Sequence, residues 1–156
     1  MKVYLVQHAE AKSKEQDPER PLSDLGRRHA GQVARAAGRI GLEVEQIRHS
    51  GKTRARQTAD IMGEALSPRQ GVVSVSGLSP LDDVAPVAEE LEERARPVML
   101  VGHLPFMERL AGWMLTGDVD QTVIDFTNAG IVCLERKDED WQVFWMLTPE
   151  LAGRGD

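Results

Sequence analysis

The stretch Lys2–Glu10, KVYLVQHAE, decides the fold, because its apolar run stops abruptly at a polar turn. The run Val3–Val6 is rich in β-branched and aromatic residues, which predicts a strand buried on both faces of a parallel sheet. His8 follows directly. Ligands of open α/β sheets bind beyond the carboxyl ends of the strands. His8 therefore lies where chemistry is commonly done, although a histidine that caps a strand or is satisfied in the core would give the same pattern.

The same alternation continues along the chain and predicts an α/β fold. Further strands are expected at 44–49, 72–75 and 97–101, with a hairpin of 130–134 and 142–147. Amphipathic helices are expected between them: from the cap Ser23 to Gly41, from Thr53 to Ser67, from a cap at Asp82 or Asp83, and from residue 106 to Gly117. Strands that alternate with helices predict a three-layer α/β/α sandwich with a mostly parallel sheet and right-handed crossovers.

Length and composition predict one ordinary globular domain over residues 1–156, with a frayed tail after about Thr148. Hydrophobic residues make up 41% of the chain and charged residues 28%. No apolar run is long enough to span a bilayer, and the N-terminus has no pattern of a secretory leader. We therefore expect a cytoplasmic protein that does not associate with membranes, and we expect it to be a monomer.

The charge and the cysteine content exclude two further classes of protein. A formal net charge of −6 argues against a nucleic-acid binder, since such domains carry a basic face. The basic residues Lys52, Arg54 and Arg56 nevertheless cluster, as a local anion site would require. The single cysteine, Cys133, lies in an apolar run, so the chain can form neither a disulfide framework nor a thiolate metal site.

Three residues that suit phosphoryl transfer follow predicted strands. His8 follows the first strand, Arg54 begins the second helix, and His103 follows the strand at 97–101. Because each lies just past the carboxyl end of a strand, all three are expected at one edge of the sheet. A neutral imidazole can attack phosphorus, while a guanidinium and a second imidazole neutralise the oxygens on which charge collects.

Four segments together resemble the histidine phosphatase (phosphoglycerate-mutase-like) superfamily. They are Val6–Glu10 (VQHAE), Arg20–Ser23 (RPLS) with Gly26, Ser50–Thr58 (SGKTRARQT) and Val101–Pro105 (VGHLP). The short length and the Arg-Pro-Leu segment are most similar to the SixA-type phosphohistidine phosphatases. The resemblance extends from Lys2 to about Leu147.

The resemblance implies a role for each candidate residue. His8 would be the nucleophile and form a covalent phosphohistidine, with its other ring nitrogen donating to a backbone carbonyl. Arg54 would hold phosphoryl oxygens, and His103 would stabilise transition-state charge as an imidazolium. Arg20 is a candidate to bind substrate from its loop, although an exposed loop arginine is commonly solvated. No metal and no cofactor are required.

The chain departs from the family at the motif of the nucleophile, where Gln7-His8-Ala9 stands in place of Arg-His-Gly. Gln7 can donate a hydrogen bond to substrate, but it brings no charge and cannot form a forked pair. A charge-assisted hydrogen bond contributes roughly 1.5–3 kcal/mol against about 1 for a neutral one, so the substitution could cost about tenfold in rate. Ala9 matters only if that residue needs a positive φ.

The proton donor and the substrate stay open at the level of sequence. Glu10 and Asp83 are candidates for the general acid, but Glu10 also fits a surface carboxylate and Asp83 a helix cap, and a phosphohistidine substrate needs a dedicated acid less. The absence of long insertions predicts an open pocket, which suits a phosphohistidine-bearing protein. The alternatives are a phosphatase for a small phosphate ester and a weakly active or non-catalytic phospho-recognition module.

Overall fold

The computed structural model describes residues 1–154, along which strands and helices alternate as the sequence predicts. The strands are β1 (Lys2–Gln7), β2 (Gln46–His49), β3 (Val72–Ser74), β4 (Val98–Gly102), β5 (Ile131–Lys137) and β6 (Asp140–Leu147). The helices are α1 (Asp24–Ile40), α2 (Thr53–Leu66), α3 (Ala85–Glu93), α4 (Phe106–Thr116) and α5 (Pro149–Gly153). Among these residues, no helix is both long and apolar enough to cross a membrane.

The strands form one mixed sheet in the order β3-β2-β4-β1-β5-β6. The first four strands in this order are parallel, and β5 and β6 add an antiparallel hairpin. In the register of β1 against β4, Gln7 lies opposite Gly102. The residues that follow, His8 and His103, therefore leave the sheet side by side. The α/β fold with a mostly parallel sheet is confirmed.

Both faces of the sheet are buried, which explains the continuous apolar runs of the central strands. In β1, Val3 and Leu5 pack in one cluster with α3 and α4, while Tyr4 and Val6 pack in another with α1 and α2. The residues of β4 divide in the same way, with Leu100 on the first face and Met99 on the second. This rigid centre carries the turns that follow β1 and β4.

Helix α1 begins at the predicted cap, where the Ser23 hydroxyl accepts a hydrogen bond from Gly26 N, and it ends at Gly41 in the left-handed conformation. Gly26 lies against the backbone of Glu10. A Cβ atom at this position would overlap the Glu10 carbonyl oxygen. Close contact of α1 with the segment after His8 therefore depends on this glycine.

Two expectations are corrected by the structure. The tail after Thr148 does not fray over its described residues: residues 149–153 form α5, Thr148 caps it, and Ala152 is buried against the core. Neither Asp82 nor Asp83 is the N-cap of α3, because Val84 occupies that position without a side-chain cap. Asp82 accepts a hydrogen bond from Ser79 N in the preceding turn, and Asp83 accepts one from the backbone N of Ala85, the first residue of α3.

Candidate active site

The two histidines face each other at the carboxyl edge of the sheet. The ring centroids of His8 and His103 lie 5.1 Å apart, and the rings are tilted by 56°. Arg54, in the first turn of α2, reaches His8 with its guanidinium. The structure thus brings together the three residues that the sequence singled out.

Hydrogen bonds define the tautomer of His8. Nδ1 lies 2.7 Å from the Ala9 carbonyl oxygen, which can only accept, so Nδ1 carries the proton. Nε2 accepts from Arg54 Nε at 3.3 Å, because a guanidinium can only donate. Burial lowers the pKa of His8 to about 4. The hydrogen bond to the Ala9 carbonyl raises the pKa, and the charges of Arg54 and Arg20 lower it further. His8 is therefore a neutral imidazole at pH 7, with its lone pair on Nε2.

His103 is buried, with 2% of its surface exposed, and its Nε2 lies 2.7 Å from the Ser50 hydroxyl oxygen. Its Nδ1 has no hydrogen-bond partner among the described residues. Burial lowers the pKa of His103 to about 3, and the nearby His8, Arg54, Lys52 and Arg20 act in the same direction. His103 is therefore neutral at pH 7 in this structure, and the imidazolium expected in the transition state stays a prediction for the enzyme with a phosphoryl group bound. Cationic neighbours and desolvation both disfavour its charged form.

Thr58 ties the segment that follows β1, residues 8–10, to helix α2. Its hydroxyl donates to the Arg54 carbonyl oxygen at 2.8 Å and accepts from Ala9 N at 3.0 Å. The side chain is fully buried. One hydroxyl therefore sets the position of the residue after His8 relative to the helix that carries Arg54.

Arg20 lies close enough to the site for its charge to lower the pKa of both histidines and of Arg54. Its backbone is left-handed, with φ of 49°, which is uncommon for a residue with a side chain. Its Nε donates to the Lys12 carbonyl oxygen at 3.0 Å. The loop arginine is thus oriented by the loop itself.

The unusual motif Gln7-His8-Ala9 fits the local backbone. Gln7 is the last residue of β1 and is half-buried, and its carbonyl oxygen accepts from Ala129 N at 2.9 Å. Ala9 is fully buried and is not among the residues with positive φ. Alanine is therefore compatible with this turn.

The two candidates for a general acid each have a local hydrogen-bond partner. The Glu10 carboxylate accepts from the Ser23 hydroxyl at 3.0 Å, and Asp83 accepts from Ala85 N at 3.0 Å. Both side chains belong to exposed residues.

The sequence analysis assigned no role to Ser50, Thr58 or Asn128. Ser50 and Thr58 lie inside a quoted motif, so their position was a signal that could have been used. Asn128 donates to the His8 carbonyl oxygen at 2.8 Å from 120 residues further along the chain, and nothing local in the sequence indicates this contact. Within the part of the chain that the structure describes, no group of three or more His, Cys, Asp and Glu residues could hold a metal.

Solved structures share this fold over nearly the whole chain. A protein histidine phosphatase SixA in complex with tungstate has a TM-score of 0.83 and 24% identity, covering 96% of this chain and 97% of that one. A protein from Agrobacterium tumefaciens assigned as the phosphohistidine phosphatase SixA has a TM-score of 0.78 and 25% identity, covering 95% and 97%. A phosphoserine phosphatase from Entamoeba histolytica, at 14% identity and covering 94% and 96%, has a TM-score of 0.73, so the fold serves more than one substrate class.

Sequence comparison extends the likeness beyond the fold. The family model of the histidine phosphatase superfamily (branch 1) matches residues 3–82. An uncharacterized protein of Picosynechococcus sp. (strain PCC 7002) is 32% identical over 142 residues, which cover 86% of this chain and 84% of the relative. Because the family model matches residues 3–82, and because the fold agrees, the chain belongs to the histidine phosphatase superfamily and resembles its SixA-type members.

Proposed function

We propose that this chain removes the phosphoryl group from phosphohistidine on another protein, through a covalent phosphohistidine on His8. The observation that carries the proposal is the tautomer of His8. Its Nδ1 proton is held by the Ala9 carbonyl, and its Nε2 keeps a lone pair next to a guanidinium. This is the form that a nucleophilic imidazole requires.

In the first step, His8 Nε2 forms a bond to phosphorus while the bond from phosphorus to the substrate imidazole breaks. The substrate ring leaves as a neutral imidazole once its other nitrogen carries a proton. Arg54 and Arg20 hold phosphoryl oxygens, and Gln7 donates to them without charge. The phosphoryl dianion favours protonation of His103, which then stabilises the charge of the transition state.

In the second step, water attacks phosphorus and the bond to His8 Nε2 breaks. Both hydrogens of the water leave with the product as dihydrogen phosphate, one of them after transfer to a phosphoryl oxygen, and His8 keeps its Nδ1 proton. Glu10 and Asp83 are the candidates to relay this proton transfer, and each carboxylate also has a local hydrogen-bond partner. His8 returns to its starting tautomer.

The likeness to SixA-type structures supports a protein substrate, and we expect the enzyme to meet this partner as a monomer in the cytoplasm. The relatives also include a phosphatase for glucosyl-3-phosphoglycerate, so a small phosphate ester is the competing substrate. A non-catalytic phospho-recognition module is the further alternative, because Gln7 replaces the arginine of the family.

The experiment measures phosphate release from a phosphohistidine-bearing protein, from phosphoserine and from an aryl phosphate. The variants are His8→Ala and, as a matched control, His29→Ala at a half-buried histidine of α1 that makes no contact with His8. We expect the parent and the control to release phosphate fastest from the protein substrate and His8→Ala to release none. Faster turnover of a small ester would replace the proposed substrate. A parent that releases nothing and traps no acid-labile phosphoryl group on His8 would support the recognition module.

A further inference from the structure

Gln57 connects helix α2 to the loop that carries Arg20. It lies one turn after Arg54, so the two side chains leave neighbouring positions on the helix surface. The Gln57 side-chain oxygen Oε1 accepts a hydrogen bond from Leu22 N at 2.8 Å. Gln57 is half-buried, and the Leu22 side chain is 2% exposed. This bond is therefore sheltered at the root of the loop, two residues from Arg20.

The loop is closed on itself at the same place. Ala11 and Leu22 form an isolated antiparallel bridge, and Lys12 N donates to the Pro21 carbonyl oxygen at 2.8 Å. Arg20 then turns back with its left-handed φ and donates to Lys12. Whatever fixes Leu22 therefore fixes the path of the chain through Pro21 to the arginine.

We propose that Gln57 is a positioning residue, which holds the Arg20 guanidinium against the phosphoryl group by anchoring Leu22 N to the helix that carries Arg54. Helix α2 then supplies the guanidinium of Arg54 directly and orients that of Arg20 through one side-chain hydrogen bond. Thr58, the next residue of α2, anchors the segment of His8 in the same way, because its hydroxyl accepts a hydrogen bond from Ala9 N. The pair Gln57-Thr58 aligns the two substrate-contacting segments on one helix.

The inference rests on the proposed function only in requiring that the site binds a tetrahedral oxyanion. Its test therefore uses tungstate binding, measured by calorimetry, and not turnover. The quantity compared is the Arg20 effect, defined as the factor by which Arg20→Met weakens the binding of tungstate. It is measured with Gln, Glu and Met at position 57, because glutamate keeps the acceptor oxygen and methionine removes it at similar volume.

We expect an Arg20 effect of about tenfold or more in the parent and in Gln57→Glu, as for the loss of a charge-assisted hydrogen bond. In Gln57→Met the Arg20 effect should fall to about twofold or less, because the arginine is already misplaced. Gln70 is an exposed glutamine, and Gln70→Met should leave the Arg20 effect at its value in the parent. An equal Arg20 effect at all three residues of position 57 would overturn the inference.

A second measurement holds even if Gln57→Met fails to fold. Coupling is reciprocal, so tungstate held by Arg20 should stabilise the bond between Gln57 and Leu22 N. Amide hydrogen exchange at Leu22 should slow with tungstate in the parent and should not slow in Arg20→Met. Exchange that ignores tungstate in the parent would contradict the role of Gln57. Loss of phosphohistidine hydrolysis with tungstate binding intact would reject the proposed function and leave this inference standing.

Discussion

The proposed nucleophile, His8, can attack phosphorus only in its neutral form, and burial keeps the ring in that form well below neutral pH. Because its pKa is lowered to about 4, the ring should stay neutral from pH 8 down to about 5 and gain its proton only near pH 4. We predict this midpoint for the Cε1–H resonance of His8 in NMR titration, with nitrogen shifts that place the proton on Nδ1. A midpoint at or above about 6.5, the value of an unperturbed histidine, would contradict the buried, neutral nucleophile.

Gln7 is one of two residues, with Ala9, at which the motif around His8 departs from the family pattern, and the substitution at Gln7 can be reversed. We predict that Gln7→Arg raises kcat/KM for phosphatase activity about tenfold, because a charged fork replaces a neutral donor. The rates of both proteins on the same phosphorylated substrate measure this. Gln70→Arg adds the same charge away from the site and should leave the rate unchanged. An unchanged or lower rate in Gln7→Arg would show that the rest of the site already compensates for glutamine.

At the scale of the elements, α1 packs through Gly26 against the backbone of Glu10, in the segment that follows His8. We predict that Gly26→Ala lowers the free energy of unfolding by about 1–3 kcal/mol, since the new methyl group would have to displace the Glu10 backbone. Phosphatase activity should fall as well, because Glu10 follows the turn of His8. Chemical denaturation and phosphate release together test both effects.

The control for this prediction lies on the same helix. At Gly38 a Cβ would meet Ala65 at ordinary contact distances of 3.5 and 4.0 Å. Gly38→Ala should therefore stabilise the protein by up to about 1 kcal/mol through helix propensity and leave activity unchanged. Equal behaviour of the two variants would mean that α1 does not restrain the segment that follows His8.

Local sequence patterns predicted most helices and strands correctly, but they did not predict contacts between residues that are distant in the chain. Apolar runs and caps such as Ser23 and Gly41 act within a few residues, so the helices and central strands could be predicted. The cap of α3 was predicted wrongly because Val84 holds the cap position, while Asp82 bonds back to Ser79 N and Asp83 reaches Ala85 N from one residue before the cap. Helix α5 was missed because its stability comes from burial of Ala152 against α1, which a short tail does not reveal.

At the scale of the whole molecule, the order of strands in the sheet explains why the residues of the site could be predicted from the sequence. The charge state of His103 could not be predicted in this way. Parallel β1 and β4 are neighbours, so residues after both must meet, and a reader of the sequence can expect His8 beside His103. The neutral state of His103 depends on the depth of burial and on the summed charges of Arg20, Lys52 and Arg54. These quantities arise only once distant segments have packed together.

The same burial makes the stability of the whole protein depend on pH. Burial lowers the pKa of His8 to about 4 and that of His103 to about 3, whereas the unfolded chain binds these protons near pH 6.5. Between about pH 6.5 and 4 the unfolded state therefore holds more protons than the folded state, so the free energy of unfolding falls as pH falls. Above pH 6.5 both states are neutral at these rings, and their contribution levels off.

We predict that each buried histidine contributes up to about 1.4 kcal/mol per pH unit to this slope, reduced by solvent screening at the partly exposed His8. Urea denaturation of the parent at pH 7, 6, 5 and 4.5 gives the slope. The double variant His8→Asn and His103→Asn should unfold with a much flatter dependence, while His29→Asn keeps the steep one. If the double variant and the parent lose stability in parallel, the carboxylates and the buried His49 account for the acid sensitivity, and the two facing rings are not held neutral by the fold.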